Sequence, residues 1–105
     1  MDVGALRASL AKPAPPEGLS AAAQALWWDA RGDWERAHQC AQQQDDALGA
    51  WVHAYLHRKE GDDANAGYWY RRAAKPVATS APESEWTEIA DAVLKGGKRA
   101  APAQP

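Results

Sequence analysis

A chain of 105 residues with a formal net charge of −2 is one domain by length, able to bury a modest core. Six Trp, three Tyr and no Phe place much of the apolar bulk in rings that each bury about 150–250 Å². Cys40 is the only cysteine, which excludes an intramolecular disulfide and a thiolate-built zinc framework, and the mixed charge without a basic stripe argues against nucleic acid.

The first eighteen residues predict an arm. Val3, Leu6 and Leu10 can line a short helix capped by Asp2, and the Pro-rich run from Lys12 to Gly18 ends it. Ser20 then reads as the N-cap of a helix carrying Leu26, Trp27 and Trp28 and stopping at Gly32. Asp33 caps a second helix with Trp34, Ala37, Cys40 and Ala41 at helical spacing, and the polar run Gln42 to Asp46 closes it, with Asp45 or Asp46 capping the next. Leu48, Trp51, Val52, Tyr55 and Leu56 fall at i, i+3, i+4, i+7 and i+8, one apolar stripe of a third helix that ends at Gly61. Asp62 or Asp63 caps a fourth, with Ala66, Trp69, Tyr70 and Ala73 facing inward and Pro76 as its stop. Ser80 and Glu83 have the spacing of a capping box. Trp86, Ile89, Ala90, Val93 and Leu94 repeat the stripe, and Gly96 is the expected left-handed cap. The expected organisation is an arm over 1–18, one helical domain over 19–95 and a disordered tail over 96–105. No stretch reaches the roughly 20 apolar residues of a membrane span, and no apolar leader is evident, so the expectation is a cytoplasmic protein.

Two segments echo each other. Gly32-Asp33 precedes Ala37 by the spacing at which Gly61-Asp62 precedes Ala66: glycine allows the left-handed residue of a tight turn, aspartate caps the helix that follows, and alanine permits close approach. The stretch from Leu56 to Ala74, closing on Trp69-Tyr70-Arg71-Arg72-Ala73-Ala74, resembles a tetratricopeptide or Sel1-like helical repeat, over about residues 20–76. Its repeat spacing is shorter than in those families, and the Leu-Gly pair of their first helix is missing. The resemblance implies an all-α fold of two tandem antiparallel helical hairpins with a C-terminal capping helix, closed into one domain. It further implies a non-enzymatic protein-interaction module, with an unidentified protein or peptide as partner; apart from the resemblance, an exposed Trp patch would allow self-association.

In such repeats the first helix of each hairpin lines a concave surface, which makes Trp28, Asp29, His53, His57 and Arg58 candidate partner-binding residues. Arg71 and Arg72 join them as a pair able to grip a carboxylate. His53 and His57, four apart, lie on one helix face, about 140–180° around from Leu48 at 100° per residue. The stripe model therefore leaves them as exposed or hydrogen-bonded helix residues. Two histidines at that spacing can hold zinc or nickel if a third ligand joins them, with Glu60, Asp29 or His38 as candidates. Residue 54 is Ala, so the glutamate of a metalloprotease motif is missing. No phosphate loop, nucleophile elbow or catalytic carboxylate pair is evident, since Asp45–Asp46 and Asp62–Asp63 sit where helix caps belong. The sequence thus predicts no cofactor, with zinc as the alternative.

Overall fold

The computed structural model describes residues 1–100, with side chains to residue 96, and every regular element among them is helical. In chain order these are α1 (Val3–Ala8), continued by a short 3-10 turn (Ser9–Ala11), α2 (Ala21–Ala30), α3 (Trp34–Gln42), α4 (Ala47–Lys59), α5 (Asp63–Arg72) and α6 (Pro82–Ala100). No helix among the described residues is long and apolar enough to cross a membrane.

Five helix starts are fixed by the same device. The side chains of Asp2, Ser20, Asp33, Asp46 and Asp62 accept from the backbone N–H three residues on, at Ala5, Ala23, Arg36, Gly49 and Asn65. Each satisfies a donor that the first helical turn leaves orphaned. The helix ends match too. Gly32 and Gly61 take φ of +86° and +87°, and the following N–H reaches back five residues, from Asp33 to Trp28 O and from Asp62 to His57 O. α5 closes in the same way, from Lys75 N to Tyr70 O, but Ala74 occupies the left-handed position with φ +59°. That turn stops α5 at Arg72, ahead of the proline from which the sequence predicts the stop.

α4 is the axis of the molecule and packs on α2, α3, α5 and α6. Its stripe meets α2 and α6: Tyr55 Oη donates to Asp29 Oδ2 (2.8 Å) and Trp51 Nε1 to Glu85 Oε2 (3.2 Å). Its opposite face, carrying His53 and His57, meets α3 and α5. Of exposed or hydrogen-bonded histidines, the structure has the hydrogen-bonded kind, buried because a helix surrounded by four others has no solvent face to give them. Large indoles fill the core with their N–H groups bonded, Trp27 to Ser9 Oγ (3.1 Å), Trp86 to Leu26 O (3.0 Å) and Trp34 to Leu56 O (2.9 Å).

The N-terminal arm docks. Leu6 is fully buried, α1 packs on α6, and Arg7 bonds Thr87. Two expectations at α6 are corrected. It starts at Pro82 with no capping box from Ser80, since proline at the first helical position gives up a donor the helix does not need; the Ser80 carbonyl instead accepts from Arg58. Nor does Gly96 terminate the helix: it lies inside α6, where an added Cβ would fall 2.5 Å from Leu48 Cδ1. The tail expected to be disordered is helical as far as Ala100, and the remainder of that expectation lies outside the described residues.

Candidate metal centre

Three imidazoles meet where α3, α4 and α5 pack. His38 comes from α3, His53 and His57 from successive turns of α4, and one ring nitrogen of each lies within 4.8 Å of the others. His38 Nε2 and His53 Nε2 are 2.9 Å apart. His53 and His57 are only 4 % and 6 % exposed, and His38 is half-buried. The helical spacing of His53 and His57 supplies two donors on one face. The turn at Gly32 sends α3 back alongside, which brings in the third. Of the three further residues the sequence offers, His38 is the one that lies beside both His53 and His57, while Glu60 lies beside His57.

Aromatic walls hold the rings in place. The Trp34 indole stacks on His38 with centroids 4.9 Å apart and planes 9° off parallel, and Trp69 stacks on His53 at 3.8 Å and 13°. Glu60 Oε2 accepts from His57 Nδ1 at 2.7 Å. With the ring neutral, that bond puts the proton on Nδ1 and the lone pair on Nε2, the tautomer in which Nε2 can ligate a metal. On the Nε2 side lies Asn65, its Nδ2 3.4 Å away. Asp62 also stands close to His57 and Glu60, but its carboxylate is engaged as the cap of α5. Glu60 thus acts on the cluster through His57.

Burial pushes the His53 imidazole down to about 4, helped by the neighbouring His38 and His57 rings and by the Arg72 charge. Burial and His57 lower His38 as well. At neutral pH both rings are uncharged with nitrogen lone pairs available, so a cation meets little competition from protons there. A cleft of about 380 Å³, bordered by His53, Trp69 and Arg72, brings solvent to the edge of the His53–Trp69 stack.

The remaining candidates do not share a surface. Asp29 is buried (6 % exposed) and pairs with Lys59 Nζ at 2.9 Å as well as with Tyr55. Arg58 points to the other side of α4, where it pairs with Glu85 at 2.7 Å. Trp28 is half-buried under the Arg36 guanidinium, 4.1 Å from the ring. No single groove presents Trp28, Asp29, His53, His57 and Arg58, since α6 packs on both α2 and α4. Arg71 and Arg72 are exposed on α5, with Arg72 bonded to Tyr68 Oη and paired with Asp45.

Sequence reasoning missed Asn65, Trp34 and Trp69 as neighbours of the histidines. The Trp34–His38 spacing of four was the available signal. Set against models of known protein families, curated proteins and solved structures, the chain matches none.

Proposed function

We propose that this protein binds a transition-metal ion of the zinc class through His38, His53 and His57. The observation that carries the reading is the convergence of three ring nitrogens within 4.8 Å from two helices, with Nδ1 of His57 bonded to the Glu60 carboxylate. Metal–nitrogen bonds of about 2.0–2.1 Å in a tetrahedral site set ligand atoms about 3.3–3.4 Å apart. In the trio the His38–His53 pair stands at 2.9 Å, and no pair is farther apart than 4.8 Å. Small side-chain adjustments suffice to reach the tetrahedral spacing. Neutral imidazoles suit zinc, copper, nickel or iron and do not suit magnesium or calcium, which take oxygen ligands.

Isothermal titration with zinc chloride tests this on wild type and on His38→Ala and His57→Ala, with far-UV circular dichroism confirming that each variant is folded. One equivalent bound by wild type, and at least about tenfold weaker by each variant, is the expected result. Absence of zinc uptake by wild type, or equal uptake by folded variants, overturns it.

A second reading rests on the matched turns at Gly32 and Gly61. They support a tetratricopeptide or Sel1-like pair of hairpins acting as a non-enzymatic interaction module in the cytoplasm. With Asp29, His53 and His57 buried, and Arg58 and Trp28 half-buried against Glu85 and Arg36, Arg71 and Arg72 are the exposed candidates left to meet a protein partner. A tagged wild type that retains a stoichiometric partner lost by Arg71→Ala/Arg72→Ala favours this reading, and equal retention by both removes that surface.

A further inference from the structure

We infer that Asn65 supplies the fourth ligand of the metal centre, through its amide oxygen; this rests on the metal reading above. Asn65 lies in the first turn of α5, half-buried, its backbone N–H held by Asp62 Oδ1 at 3.3 Å. The cap fixes where its Cα sits. Its amide head lies 3.4 Å from His57 Nε2, the separation that two ligands of one tetrahedral ion adopt when each bond is about 2.0–2.1 Å. An amide head is thus already placed where a fourth donor belongs relative to His57.

The atom aimed at His57 Nε2 is the amide nitrogen. With no cation bound that orientation is the favourable one, because Nδ1 of His57 carries its proton toward Glu60 and Nε2 presents a lone pair that an N–H can satisfy. A cation at the trio takes up that lone pair and repels the amide N–H. Rotation of the amide by a half-turn then turns Oδ1, an acceptor of nearly the same size, toward the ion. No backbone movement is required, since the two orientations occupy the same volume. The two carboxylates beside His57 are committed elsewhere: Glu60 to the Nδ1 of His57 and Asp62 to the start of α5. The resulting set, three imidazoles and one amide oxygen, leaves no open position for a substrate. It therefore makes the centre one that stores or is stabilised by its ion.

Cobalt(II) is the probe, since its visible absorption reports coordination number and geometry. Wild type, Asn65→Ala and Asn65→Asp are titrated with cobalt chloride and then challenged with azide, which binds only an open position. The expected result is a strongly absorbing, azide-insensitive four-coordinate ion in wild type. Asn65→Ala should bind about tenfold more weakly and change its spectrum on adding azide, while Asn65→Asp, isosteric and anionic, should bind more tightly than wild type. Azide-sensitive wild type, or an Asn65→Ala protein matching it in affinity and spectrum, overturns the assignment and leaves the three-histidine centre standing. Failure of wild type to take up cobalt at all overturns both.

Discussion

At the scale of single residues, His53 carries the strongest physical signature. Its folded pKa of about 4 lies below the ordinary value of 6.5, so the unfolded chain binds the proton more readily. For the metal-free protein the contribution of neutral His53 is fully present above pH 6.5, is lost as the pH falls from 6.5 toward 4, and changes no further below that. The groups that set it are His38 on α3, His57 on its own helix and Arg72 on α5. The window is worth at most about 3 kcal/mol. Urea unfolding in the presence of a chelator checks it: wild type should lose stability between pH 7 and pH 4.5 more steeply than His53→Gln. Parallel curves for the two proteins would contradict it. The sequence made His53 and His57 visible by spacing alone, yet it hid their burial. A stripe opposite polar residues implies solvent on the polar side, and that inference holds only for a helix with one packed face. Asn65 gave no signal at all, because an asparagine in a first helical turn reads as ordinary surface.

At the scale of elements, the loop between α3 and α4 shows how a glycine can be dictated by a neighbour. An added Cβ at Gly49 would lie 1.9 Å from Gln44 O, a backbone atom that cannot swing aside. The same Gln44 accepts from Ala22 N at 2.8 Å and donates to Asp46, so its side chain ties the start of α2 to the cap of α4. Gly49→Ala should therefore cost about 2–3 kcal/mol, despite the better helix propensity of alanine. Chemical denaturation followed by circular dichroism measures it, and a neutral or stabilising effect would mean the loop relaxes freely. Helix starts were the most legible elements, since Asp and Ser before apolar periodicity have a local cause. The start of α6 was not: two rules competed there, and proline at the first helical position prevailed over the capping box. The end of α5 was hidden because nothing local marks Ala74 as a left-handed residue.

At the scale of the whole molecule, closure depends on a charge. Glu85 is 1 % exposed and accepts from Trp51 Nε1, Arg58 Nη1 and Tyr70 Oη, the last at 2.6 Å. One carboxylate thus joins α6 to α4 and α5, and its pull holds the Tyr70 phenol well above its ordinary range, after burial. Glu85→Ala would leave a half-buried guanidinium and two ring donors without their acceptor. A loss of about 3–5 kcal/mol is expected, a large share of the stability of a domain this size. Thermal unfolding of the variant tests that, and an unchanged midpoint would mean water replaces the carboxylate. The all-helical class was legible in the pattern of stripes and caps. The surroundings of α4 were not, because periodicity describes one helix at a time and cannot say how many others will pack on it.

The stacking of Trp34 on His38 and of Trp69 on His53 has a practical side. Two of the six indoles touch the imidazoles directly, so the light the protein emits is coupled to what those rings carry. Quenching by a paramagnetic ion, or by protonation of the rings, would dim these two far more than the four at a distance. The centre comes with its own optical gauge, readable in an unlabelled sample.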